Sequence, residues 1–141
     1  RPAAIKVRLW HKIGDVTHTK HAAVIPSGPD QASVQVVIID WDTQHKVTSG
    51  MSTVSGVWSP EDGANAVSAG KVIGYGVIYP QGTTSGSSMV DTEIPIVWYD
   101  KTTKPSKNYT LIVSAATSRY GDYMNGCENN EMYVDDFRWS Y

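Results

Sequence analysis

The chain has 141 residues, 40% of them hydrophobic, which suits one domain with a sizeable core. A formal charge of −2 with no basic stripe argues against a nucleic-acid partner, and no apolar run approaches the roughly 18 residues a membrane-spanning helix needs. The single cysteine, Cys127, excludes a disulfide within the chain, and the opening Arg1-Pro2-Ala3-Ala4 is not a signal peptide.

Helical periodicity is almost absent. Short runs rich in Val, Ile, Tyr and Trp alternate with Gly, Ser, Asn and Pro clusters, the pattern of an all-β antiparallel sandwich or barrel. The first predicted strand is Ile5–Lys12. Ile5, Val7 and Leu9 share one face, and Lys6, Arg8, Trp10 and Lys12 share the other. A flat aromatic beside basic donors suits a sugar ring: the indole covers the C–H surface, and the cations bond the polar rim. Trp10, Lys6 and Arg8 are therefore candidate carbohydrate-binding residues. The plainer reading is a solvated outer face with Trp10 packed under a loop. His18 and His21 have a metal-like interval, but zinc wants three or four converging ligands, and Thr and Lys are interleaved here. Exposed loop histidines are expected.

A strand at Ala22–Ile25 follows, then Ser33–Trp41. The latter is apolar on both faces, Val34, Val36 and Ile38 against Val37, Ile39 and Trp41, so it should be central and covered on both sides. Two loops are long. Residues 49–70 include a stretch, Pro60–Ala69, suited to one helical turn with Ser59 as cap. Residues 80–88 read as polar and flexible. Strands are predicted at Lys71–Tyr79, Thr92–Tyr99 and Tyr109–Thr117, the last with small residues on both faces that suggest tight packing.

Between that strand and the final one, Glu131–Trp139, lies Arg119-Tyr120-Gly121-Asp122-Tyr123. Its plain reading is a turn with Gly121 at positive φ and Asp122 capping backbone donors. Tyr120 and Tyr123 are candidate walls of a ligand groove. Cys127 reads as a partly buried small residue with no base beside it. Asp135-Asp136 is not a catalytic pair on this reading. Neighbours in a strand diverge to opposite faces, whereas glycosidase carboxylates converge from about 5 to 9.5 Å apart. No Gly-x-Ser-x-Gly elbow and no phosphate loop occurs.

The string Tyr109-Thr-Leu-Ile-Val-Ser-Ala-Ala-Thr-Ser-Arg-Tyr-Gly-Asp-Tyr-Met-Asn-Gly126, followed by Met132-Tyr-Val-Asp-Asp-Phe-Arg-Trp139, resembles the C-terminal signature of the putative carbohydrate metabolism domain of Bacteroidota surface proteins. The stretch Arg1–Lys12 resembles that family's Arg-Pro strand, and Ile73-Gly-Tyr-Gly-Val77 its Gly-rich middle strand. Cys127–Glu131 and Ala115-Ala116 depart from it. The resemblance implies a jelly-roll-like antiparallel β-sandwich, similar to carbohydrate-binding modules. It also implies export to a secreted or outer-membrane location on a bacterial surface. Residues 1–141 would then form a single domain, the C-terminal portion of a larger one, without its N-terminal strands. In carbohydrate-binding jelly rolls an aspartate of the closing strand often helps hold a structural Ca2+. That makes Asp135, with Asp122 in the preceding loop, the candidate metal position; no other cofactor is expected.

Together these readings give a non-catalytic glycan-binding surface domain. The alternative is a protein assembly subunit that accepts or donates a β-strand. A third reading is part of a glycoside-active enzyme with its catalytic residues elsewhere. Missing strands would leave apolar surface beside Val36, Ile38, Val113 and Val134, to be covered by another chain or by the absent strands. Exposed coplanar aromatics would favour glycan, and an apolar edge would favour assembly.

Overall fold

The computed structural model describes residues 1–20, 27–40, 72–99, 101–102 and 109–141. The expected strand at Ala22–Ile25, the helical turn at Pro60–Ala69, and His21, Trp41 and Trp58 lie outside these. The described elements are β1 (Ala4–Ile13), β2 (Ser33–Asp40), β3 (Val72–Ile78), β4 (Gly82–Thr83), β5 (Val90–Pro95), β6 (Val97–Trp98), β7 (Tyr109–Ala116), a single 3-10 turn (Gly121–Tyr123) and β8 (Glu131–Ser140).

They build two antiparallel sheets, as the strand pattern predicts, and neither closes into a barrel. In the first sheet β1 is the centre. β8 pairs along Ala4–Lys12; on the opposite edge β5 pairs along Ala4–Leu9 and β4 with Lys12–Ile13. The second sheet has the order β6-β3-β2-β7. Alternation along β1 sends Ile5, Val7 and Leu9 inward, where they meet Ile94 of β5 and Val34 and Val36 of β2. Ile78, Ile96, Met132 and Val134 pack around this core. Val37, Ile39 and Val72 form a second buried cluster. β2 is thus covered on both faces, as its two-sided apolar sequence requires.

Four expectations need correction. The predicted strand Thr92–Tyr99 is two strands, because the chain crosses from the first sheet to the second at Pro95-Ile96. Proline has no N–H for a ladder, and the Ile96 N–H bonds Ala3 O at 2.9 Å instead. The crossing explains the glycines of β3. A Cβ on Gly76 would stand 2.7 Å from Pro95 O, and one on Gly74 would stand 2.9 Å from the Trp98 ring.

The loop at 80–88 is not loose. Gly82 and Gly86 take positive φ, and β4 pairs with the end of β1. Thr84 N–H bonds His11 O at 2.8 Å, and His11 N–H bonds the Thr84 hydroxyl at 3.0 Å. The tightly packed strand expected at 109–117 is instead exposed, and it is the outermost described strand of the second sheet. Every residue of β7 except Thr110 is exposed, and Val113 is not in the core.

Finally, Asp135 and Asp136 do not simply diverge. The β1–β8 register shifts between Lys6 and Arg8, and Asp136 has φ 56°. This is a bulge with its first residue in the left-handed region, which Asp tolerates better than most side chains.

The loops at one end of the sandwich converge on Asp30, which is 3% exposed. Its carboxylate accepts from the Gln31 N–H (2.8 Å), the Ser118 hydroxyl (2.6 Å), the Cys127 N–H (3.1 Å) and the Asn130 amide (2.8 Å). A buried carboxylate persists only with such compensation. Asn130 in turn accepts from the Gly14 N–H at 2.9 Å and donates to Thr117 O at 2.8 Å. Gly126 must be glycine here, because a Cβ would overlap the Ser118 hydroxyl.

Candidate functional site

The outward row of β1 is the one alternation predicts: Lys6 and Arg8 are exposed and Trp10 is half-buried. The strand register decides their neighbours. Trp10 lies opposite Tyr133 of β8, Lys12 opposite Glu131, and Arg8 between Asp91 of β5 and Asp135 of β8. The Trp10 and Tyr133 ring centroids are 5.7 Å apart, with planes inclined at 55°. Trp10 Nε1–H donates to Gly86 O at 2.8 Å, so the tied-down 80–88 loop fixes the indole. Tyr133 is 57% exposed. With Ser87, Met89 and Glu131 the two rings line an open groove of about 370 Å3.

One wall of this groove is aromatic and its rim is polar. The Lys12 ammonium stands 3.7 Å from the Glu131 carboxylate at the groove's end. Further along the same face, Arg138 bridges two carboxylates, Asp136 at 2.8 Å and Asp91 at 3.0 Å. The Asp135 carboxylate accepts the Asp136 N–H at 2.8 Å. Such a face offers a flat apolar platform beside donors and acceptors, which is the chemistry a sugar ring presents in mirror image. The rings are inclined rather than coplanar, so they form a cradle and not a continuous shelf.

Tyr120 and Tyr123 are not among the groove's lining residues. They belong to the loop around the 3-10 turn, where Arg119 stacks 3.7 Å above the Tyr79 ring and lies 5.2 Å from that of Tyr120. The turn is as expected in kind, but the residue at positive φ is Met124 and not Gly121. Asp122 sits in this turn and Asp135 midway along β8. Among the described residues no group of three or more His, Cys, Asp or Glu side chains converges as a metal site.

The sequence reading missed Tyr133, Glu131, Ser87 and Met89. The alternation Tyr133, Asp135 against Met132, Val134 marks Tyr133 as outward. Only the register of β8 on β1 brings it to Trp10.

Among the described residues no helix is long and apolar enough to cross a membrane. No protein-family model and no curated protein matches the chain. Two crystal structures do share its fold. One is described as a putative glycoside hydrolase from Bacteroides thetaiotaomicron (14% identity, TM-score 0.62). The other is described as a putative glycoside hydrolase from Bacteroides vulgatus (15% identity, TM-score 0.56). Each match covers 99% of this chain but only 38% and 52% of those chains respectively. These neighbours correct the expectation of a non-enzyme. The fold occurs within longer proteins described as putative glycoside hydrolases.

Proposed function

We propose that this chain is a β-sandwich unit of a bacterial glycan-processing protein, and that it holds carbohydrate on the face carrying Trp10 and Tyr133. The single observation that carries the reading is the inclined aromatic pair on an otherwise polar sheet face. It is pinned by the indole bond to Gly86 O and flanked by Lys12, Glu131 and Ser87. A pyranose ring seated on the indole would bury its C–H face, while its hydroxyls reach the Ser87 hydroxyl and the charged rim. Arg8 and Lys6, exposed further along the same row, would extend contact to a second sugar or an acidic substituent.

The glycoside hydrolase description of both fold neighbours supports a carbohydrate context. Their Bacteroides origin supports the resemblance to the Bacteroidota carbohydrate metabolism domain and, with it, a secreted or outer-membrane surface location.

The test is calorimetric titration of the chain with a panel of soluble polysaccharides and their oligosaccharides. A ligand bound by the unmodified chain should be lost in Trp10→Ala, at little cost in melting temperature. Equal binding by Trp10→Ala, or no binding across the panel, would defeat the proposal.

A further inference from the structure

The molecule's strand edges are not equally protected. β4 and β6 are two residues long, and β5 ends at Pro95. β8 carries a bulge at Asp136 and the charges of Glu131, Asp135, Asp136 and Arg138. Short strands, prolines, bulges and charges are the usual means of blocking edge-to-edge pairing. β7 has none of them. Its eight residues, Tyr-Thr-Leu-Ile-Val-Ser-Ala-Ala, hold no charge, proline, glycine or positive φ. Among the described residues β7 pairs only with β2. Leu111, Ile112 and Val113 are 39%, 41% and 38% exposed, one after another.

We infer that the edge of β7 away from β2, which no described strand pairs, is a pairing site for a second copy of this chain. The strand is self-complementary. Leu111, Val113 and Ala115 lie opposite Ile38, Val36 and Val34, so they form the core-side row. Antiparallel pairing about a two-fold axis at Ile112 keeps that row on one side. It sets Leu111 against the copy's Val113, and Tyr109 against the copy's Ala115. On the other side Ile112 meets its own counterpart, and Thr110 meets the copy's Ser114. Apolar groups meet apolar groups, and no charge is brought to face another. The two second sheets then join into one continuous sheet with the unpaired N–H and C=O groups of both edges satisfied. Two eight-residue edges at about 3.4 Å per residue bury less than the about 800 Å2 per partner of a standard interface. The dimer is therefore concentration-dependent.

The test is sedimentation of the whole chain from micromolar to near-millimolar concentration. A reversible monomer–dimer equilibrium is expected. Ile112→Lys and Ile112→Glu should each weaken it at least tenfold, and mixing the two should restore a heterodimer by placing opposite charges at the axis. Ser114→Lys, on an exposed side chain, should weaken it as well. In the dimer the outward amides of β7 should be protected from hydrogen exchange. A monomer at every concentration, or a dimer indifferent to these variants, would overturn the inference. So would a monomer with protected β7 amides, which would mean that another stretch of polypeptide, not a copy, covers the edge.

Discussion

Asp30 offers a sharp test of what holds the loop end together. Replacing it with alanine removes the acceptor of four donors at once. The losses are unequal. The Asn130 amide also donates to Thr117 O and to the Ser118 hydroxyl at 3.3 Å, so it keeps partners. The backbone N–H groups of Gln31 and Cys127 lose their acceptor outright. A buried donor left unpaired costs roughly 1–3 kcal/mol. Both residues are half-buried, so the lower part of that range applies, and the sum is about 2–4 kcal/mol. For a domain of this size that is about 6–15 °C in melting temperature. Asp30→Asn separates charge and acceptor geometry from side-chain volume. Whichever way its amide is turned, the NH2 faces either the Gln31 N–H or the Ser118, Cys127 and Asn130 donors. Turned so that its oxygen keeps the Ser118, Cys127 and Asn130 donors, the asparagine leaves only the Gln31 N–H without an acceptor, so this variant should lose about half as much as the alanine one, about 1–2 kcal/mol. Urea unfolding followed by circular dichroism reads both. An asparagine variant within about 0.5 kcal/mol of the unmodified chain, the usual range for neutral surface changes, would refute the role given to the carboxylate.

Gly76→Ala should cost about 1–3 kcal/mol by overpacking against Pro95 O and Ile94. Gly82→Ala meets no atom within 4 Å and should cost only about 1–2 kcal/mol for its positive φ; urea midpoints showing Gly82→Ala clearly the worse would contradict the account of the sheet crossing. Tyr133→Ala should weaken glycan binding up to about tenfold, given an aromatic contribution near 1 kcal/mol, with unfolding midpoints little changed; undiminished affinity would remove Tyr133 from the cradle. The expectation of Ca2+ at Asp135 and Asp122 predicts a melting temperature lowered by chelator and restored by Ca2+, and equal temperatures would remove that ion.

Much of the sandwich was legible because it follows from period-two alternation. Ile5, Val7 and Leu9 against Lys6, Arg8 and Trp10 fixed both faces of β1, and the two-sided apolar run 33–41 announced a central strand, observed as Ser33–Asp40. What failed were features set by partners distant in sequence. Small residues at Ser114, Ala115 and Ala116 read as tight packing, but a small side chain also suits an uncovered edge, and alternation does not distinguish the two. The strand expected at Thr92–Tyr99 ran straight through Pro95, because nothing local marks that proline as the point where the chain changes sheets. The polar composition of 80–88 suggested mobility, whereas its threonine and glycines serve to pair with β1 and cap Trp10. Asp30 was unreadable as a hub because its donors come from Ser118, Cys127 and Asn130, about ninety to a hundred residues away. For the site, Trp10, Lys6 and Arg8 were found on one outward row. Tyr133 waited on the register, and Tyr120 and Tyr123 do not line the groove.

The central claim is that carbohydrate seats on Trp10 and Tyr133. The most direct measurement is an NMR titration of the indole N–H signals with an oligosaccharide bound by the chain. The Trp10 signal, held by Gly86 O beside the groove, should move with saturation. That of Trp98, bonded to Pro2 O at 3.0 Å and outside the groove, should stay. A bound oligosaccharide that shifts Trp98 and leaves Trp10 unmoved would contradict the claim.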